Sequence, residues 1–175
     1  MALIKEVKGI APKIGKNCFL ADNATVVGEV EIGEDCSIWF NAVVRGDVHY
    51  IKIGRNVNIQ DGAIIHCTYK KAPVNIGDNV SIAHNAIIHG CTIESDVLVG
   101  MGAILMDDVY VESKSLIAAG AVVSKGTRIK TGEVWAGVPA KKIKDIDESL
   151  LQGEVHRISS SYNMYASWYD EKNEE

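Results

Sequence analysis

Proline is scarce in this 175-residue chain, with three residues, and so are aromatics, with two phenylalanines, three tryptophans and six tyrosines. Four of the aromatics, Tyr162, Tyr165, Trp168 and Tyr169, crowd towards the C-terminus, so the body of the chain must build its core from Ile, Val, Leu and Ala. The four cysteines, Cys18, Cys36, Cys67 and Cys91, are scattered and form no CxxC pair, which argues against a disulfide framework. No apolar run approaches the roughly 18 residues that span a bilayer. Met1 to Lys8 alternates apolar and charged residues without a signal-peptide core, so the cytoplasm is the expected compartment and no membrane association is expected. A basic excess is lacking too: 18 Lys and Arg face 23 Asp and Glu, a net charge of −5, which disfavours nucleic acid as a partner. With 47% hydrophobic and 23% charged residues the chain has the composition of an ordinary folded protein, not of a disordered one.

What is abundant is a period. An aliphatic residue recurs every six positions at Ile14, Leu20, Val26, Ile32, Ile38 and Val44. After a short insertion the series resumes at Ile53, Ile59 and Ile65, and after a longer one, Thr68 to Val74, at Ile76, Ile82 and Ile88. One residue is then deleted, and Ile93, Val99, Leu105, Val111, Ile117, Val123 and Ile129 complete it. Small or β-branched residues sit four positions after most of these, and Gly, Asp and Asn fill the positions between. A helix needs a period of 3.6 and an alternating strand a period of 2, so six is a short strand plus a turn. Three such rows close a triangular coil of about 18 residues, and coils stack at the strand spacing of about 4.8 Å. The fold class is mainly β, a parallel β-helix. The pattern resembles the hexapeptide-repeat family of left-handed β-helices over about residues 10 to 143. The left hand comes with that resemblance, since the general rule for parallel crossovers favours the opposite one. The repeat domain is taken as residues 1–143. Residues 144–175 read as a C-terminal α-helix packing on the β-helix, through Ile146, Leu150, Val155, Ile158, Tyr162, Tyr165 and Tyr169 to about Glu171, with Asp145 or Asp147 as its cap.

The register serves as a coordinate system. His66 follows Ile65 and His89 follows Ile88, three rows later, so both occupy one outward column on adjacent coils, close enough to share a metal. His84, two positions after Ile82, belongs to another side of the triangle. It completes a three-histidine site most simply from a neighbouring chain of a trimer, the alternative being a bent corner that gathers all three in one chain. Arg45 stacks one coil from His66, and Asp61 one coil from His84, so Arg45 and Asp61 would pair across such an interface. Cys18 and Cys36 share an inward column, where a bridge is geometrically conceivable, although a role as small core residues is the plainer reading.

Arg45-Gly46-Asp47, Asn58-Ile59-Gln60-Asp61, His66 and His84-Asn85-Ala86-Ile87-Ile88-His89 occur in the order found in the γ-class carbonic anhydrases, and the chain is similar to that family over these motifs. The resemblance implies a homotrimer in which His66 and His89 bind Zn2+, or Fe2+ or Co2+, together with His84 of the neighbouring subunit. It implies an enzyme, a lyase that reversibly hydrates carbon dioxide to bicarbonate through metal-bound hydroxide. Arg45, Asp47 and Asp61 become interface and orienting residues, while Gln60, Asp61 and Tyr165 (or Tyr162) approach the reacting groups. The acidic proton-shuttle loop of the archaeal founding member has no counterpart in Val48-His49-Tyr50-Ile51-Lys52 or Cys67-Thr68-Tyr69-Lys70-Lys71. That absence implies weak hydration, with His49 either the substitute shuttle or an ordinary loop residue. His156, on the helix, reads as structural or exposed. The rival readings are a CoA-dependent acyltransferase of the same fold, which would use one interface histidine as general base, and a non-catalytic metal-binding or scaffold trimer.

Overall fold

Inward aliphatic residues and left-handed corner residues alternate along the chain, and together they wind it into a three-faced solenoid. The structure, a computed structural model, describes residues 1–169. On the first face Val26, Val44, Ile65, Ile88, Leu105 and Val123 stack in parallel register. On the second, Leu20, Ile38, Ile59, Ile82, Val99 and Ile117 stack in the same way, ending at Trp135. The third carries Ile14, Ile32, Ile53, Ile76, Ile93, Val111 and Ile129. Apart from Ile14, Leu20 and Trp135 at the ends, these residues are buried, and with the small residues Ala24, Cys36, Ala63, Ala86 and Ala103 they form one continuous core. Such burial stabilises each Ile or Val side chain by about 1.5–3 kcal/mol, which is why the spacing is kept so strictly.

The corners explain the Asn, Asp and Gly content. Asn17, Asp35, Asn56, Asn79 and Asp96 all take positive φ, a conformation that Asn and Asp tolerate better than most residues. Their side chains also bond from coil to coil, as in Asn56 Nδ2 to Asn79 Oδ1 at 2.9 Å and Asn79 Nδ2 to Asp96 Oδ1 at 3.0 Å. A second corner stacks Asn41, Gly62, Asn85, Gly102 and Gly120, again all with positive φ. A Cβ on Gly62 (φ +69°) would collide with Asn85 Oδ1, next to His84. Gly62→Ala therefore combines left-handed strain of about 1–2 kcal/mol with displacement of that corner. The expected outcome is a Tm lower by roughly 5 °C in a calorimetric scan.

The C-terminal end departs from the repeat. Glu133–Gly137 pairs in parallel with Leu116–Ile117, but its next partner, Ala140–Asp145, folds back antiparallel across a turn with a cis Val138–Pro139 bond. Helix begins at Glu148, capped by Asp147, whose Oδ1 accepts from Leu150 N at 2.8 Å. It passes through a π-helical stretch, Leu151–His156, and continues as α-helix over Arg157–Ser167. The buried positions are Leu151, Val155 and Ser159, of which Leu151 and Val155 pack with Leu98, Leu116, Ile146 and Ile158. This corrects the apolar face expected from spacing, which omits Leu151 and Ser159, because the wider π-helical turn shifts the phase. The helix ends at Ser167, with Trp168 as its C-cap, and so stops short of the run to about Glu171 expected from spacing. Tyr162 and Tyr169 close an aromatic cluster with Phe19, Trp39 and Phe40 over the second face. Among the described residues no helix is long and apolar enough to cross a membrane.

Candidate metal centre

Register delivers the first two histidines. Because Val44, Ile65 and Ile88 point inward, pleating turns the next residues, Arg45, His66 and His89, outward in a single stack. His66 Nδ1 lies 3.3 Å from His89 Nε2. Two nitrogens on one tetrahedral zinc, each at about 2.0–2.1 Å, stand about 3.3–3.4 Å apart, so the donor pair fits a shared ion. His84 immediately precedes the left-handed corner residue Asn85, and so stands at the opposite end of the Ile87–His89 strand from His89. The corner does not fold it back: among the described residues of one chain, no group of three or more His, Cys, Asp or Glu side chains closes round a metal position.

Each of the three rings carries its own carboxylate. Asp47 Oδ1 is 3.2 Å from His66 Nε2, Asp61 Oδ2 is 3.0 Å from His84 Nδ1, and Asp107 Oδ1 is 2.6 Å from His89 Nδ1. A carboxylate on one ring nitrogen holds the proton there and leaves the other nitrogen as a donor to metal. The nitrogens left over are then His66 Nδ1, His84 Nε2 and His89 Nε2, imidazole donors of the kind that zinc binds.

Asp47 is further held by Arg45, whose Nη1 lies 2.7 Å from Asp47 Oδ2. Burial works against ionisation of Asp47, but the bonds from Arg45 and His66 outweigh it and hold the carboxyl below the usual range. Burial, with the Arg45 charge, lowers the pKa of His66 and so favours its neutral, ligating form. Within the chain Arg45 thus bonds Asp47 and Asp61 bonds His84, so neither has the other as its partner.

His84 opens into a cleft of about 350 Å³ between the second face and the C-terminal helix, lined by Gln60, Leu98, Met101, Arg157, Tyr162 and Tyr165 among others. Gln60 is buried and fixed by a bond from its Nε2 to Asn58 Oδ1 at 2.9 Å. The tyrosine that reaches His84 is Tyr162, with its hydroxyl 3.5 Å from Nε2; Tyr165 lines the same cleft but packs on Tyr162 and Trp168. Burial and the nearby Asp61 charge raise the Tyr162 pKa to about 12. Both tyrosines that the sequence offered thus line the cleft, and Tyr162 is the one whose hydroxyl stands by His84. His49 accepts from Tyr50 N, and His156 lies 3.7 Å from Asp96 on the helix side; neither joins the cluster. Cys67 and Cys91 are buried, and burial pushes the Cys67 thiol up to about 11 and raises Cys91 as well, so both sit as neutral core groups. Asp107 was not found by reading columns, because it stands one place past Met106, which follows Leu105 as His89 follows Ile88.

Comparison with known proteins places the chain among the hexapeptide-repeat proteins. A family model described as bacterial transferase hexapeptide (six repeats) matches residues 11–46. The mitochondrial gamma carbonic anhydrase 2 of Arabidopsis thaliana is 44% identical over 160 residues, covering 89% of this chain but 56% of that protein, so the chain spans little more than half that relative's length. The carbonic anhydrase of Geobacillus kaustophilus is 37% identical over 167 residues, covering 95% of this chain and 91% of that protein. A solved Bacillus cereus structure, titled a putative acetyltransferase, superposes with a TM-score of 0.93 at 37% identity, covering 96% of each chain. The mainly β solenoid with one C-terminal helix is thus of the left-handed hexapeptide-repeat type.

Proposed function

Since this chain belongs to the hexapeptide-repeat family that includes the γ carbonic anhydrases, we propose that it is a metal-dependent carbonic anhydrase-like enzyme acting at the subunit interfaces of a homotrimer. One observation carries the reading: three histidine–carboxylate pairs, two with donor nitrogens 3.3 Å apart and the third on a different edge of the prism. Threefold rotation of a triangular prism brings the His84 edge of one copy against the His66 and His89 column of the next, which a single chain cannot do for itself. Zn2+, or Fe2+ or Co2+, held there would act as a Lewis acid that makes bound water acidic near neutral pH.

The protein's own groups do the rest. Asp47, Asp61 and Asp107 fix which nitrogen of each ring carries its proton and keep the other nitrogen aimed at the metal position. Arg45 anchors Asp47 and, at the interface, turns its remaining donors towards the neighbour's Asp61. Gln60, pinned by Asn58 at the edge of the His84 cleft, orients carbon dioxide or bicarbonate, and the Tyr162 hydroxyl, kept protonated, donates beside it. His49 stays outside the cluster, its Nδ1 accepting from Tyr50 N, and with no acidic loop to carry protons outward turnover is slow.

Elemental analysis of anaerobically purified protein, before and after zinc reconstitution, should find about one metal per chain. Stopped-flow assays should find carbon dioxide hydration that chelation abolishes and zinc restores. No bound metal in a well-formed trimer after reconstitution would overturn the reading. Acetyl-CoA binding by such a metal-free trimer would favour the acyl transfer suggested by the name of the Bacillus cereus protein.

A further inference from the structure

The geometry points to Asp107 as the residue that positions His89, with Thr68 and Gly90 holding Asp107 in place. The inference deepens the metal-site reading and rests on it for its purpose, but its geometry stands apart. Asp107 uses both carboxylate oxygens: Oδ1 is 2.6 Å from His89 Nδ1, and Oδ2 accepts from Thr68 Oγ1 at 2.6 Å. With one oxygen anchored, the other can aim only at the ring. The proton therefore stays on Nδ1, and Nε2 is left bare towards His66 Nδ1, 3.3 Å away.

Both departures from the six-residue register in this part of the chain converge on that carboxylate. The first is the insertion from Thr68 to Val74. It closes on itself through Thr68 N to Ala72 O at 3.1 Å and Lys71 N to Thr68 O at 3.1 Å, and so presents the Thr68 hydroxyl to a residue 39 positions away. The second is the single-residue deletion after His89, where Gly90 takes φ +56°. A Cβ at Gly90 would stand 2.6 Å from Asp107 Oδ1 and 2.7 Å from the Ala72 Cβ, so a larger residue would push the carboxylate off the ring. Asp108 N bonds Gly90 O at 2.8 Å and fixes the backbone beside it. Insertion, deletion and glycine have no effect on the core column, which continues through Ile88 and Leu105 in register.

The test reads the ring itself, without metal. Zinc-stripped full-length protein labelled with 15N-histidine is examined at about pH 8, above the usual histidine pKa of about 6.5, by long-range 1H–15N correlation. His89 should show one tautomer, protonated at Nδ1. Asp107→Ala and the isosteric Asp107→Asn should turn it into a mixture, and Thr68→Val should do so partially, while the His84 pattern stays as it was. Zinc affinity, by chelator competition, should fall about 10- to 100-fold for the Asp107 variants and by less for Thr68→Val. A His89 tautomer unchanged by Asp107→Asn and Thr68→Val would overturn the inference. If His89 responds as described in a protein that binds no zinc, the positioning role stands and the carbonic anhydrase reading alone falls. Asp107→Asn and Thr68→Val preserve volume and keep the test open where Asp107→Ala fails to fold.

Discussion

Mixed trimers of His66→Ala and His84→Ala chains will recover about a quarter of the wild-type metal sites, although each variant alone recovers none. The fraction follows from the arrangement proposed here, in which every site takes His66 and His89 from one subunit and His84 from the next. In a 1:1 random mixture, a site is whole only when its first chain keeps His66 and its second keeps His84. Each condition is met half the time. Removing one imidazole from a three-imidazole site leaves too few protein donors to hold zinc against a chelator, so the single variants should lose all hydration above the buffer rate. Subunits are exchanged by co-refolding, trimer formation is verified by sedimentation, and zinc and hydration are measured together. A fully exchanged mixture that stays metal-free would show that the ligands do not come from two chains. Near-complete recovery is equally incompatible with sharing, since random mixing cannot exceed the quarter.

The histidine columns from which this proposal starts were legible in the sequence because they depend on register, and register depends on burial. Ile59, Ile65, Ile82 and Ile88 are all fully buried, so a residue one or two places after each has a known address on the surface. The Arg45, His66 and His89 stack and the Asp61 to His84 pairing follow from those addresses. What escaped was whatever does not bury an aliphatic side chain or stay in its column. Ala140–Asp145 buries only Ala140 and is held to Glu133–Gly137 by backbone pairing, so its antiparallel course left no hydrophobic trace. Asp107 reaches His89 diagonally, and the choice of Tyr162 over Tyr165 depends on a helix whose phase changes through Leu151–His156. Side-chain reach and helix phase are set by tertiary packing, and a six-residue period carries no record of either.

That helix phase has its own large consequence: Val155→Asp is expected to release the C-terminal helix while the solenoid remains folded. Val155 is fully buried and packs with Leu98 and Leu151, supported by Leu116, Ile146 and Ile158. A carboxylate placed in that apolar cluster either ionises without a partner or stays protonated without a hydrogen bond, and either state costs several kcal/mol. The helix has a cheaper course, which is to leave the surface, because the solenoid core lies in a separate cluster that does not include Val155. Tyr162 would leave with it, uncovering Trp39, whose ring meets Tyr162 at 5.2 Å and which is 6% exposed in the docked state. Trp39 fluorescence should shift to the red, with Trp135→Phe and Trp168→Phe in the background to isolate it. Amide exchange across Arg157–Ser167 should accelerate to the rate of an unfolded chain, while the Ile65 and Ile88 amides stay protected. Zinc affinity should hold within a few-fold, because the three histidines and their carboxylates all lie on the solenoid, whereas hydration should drop with the loss of the hydroxyl beside His84. Unchanged emission and exchange would show that the helix tolerates the charge and is not held by this cluster. Loss of zinc together with the helix would mean instead that the helix, and not the solenoid alone, builds the metal site.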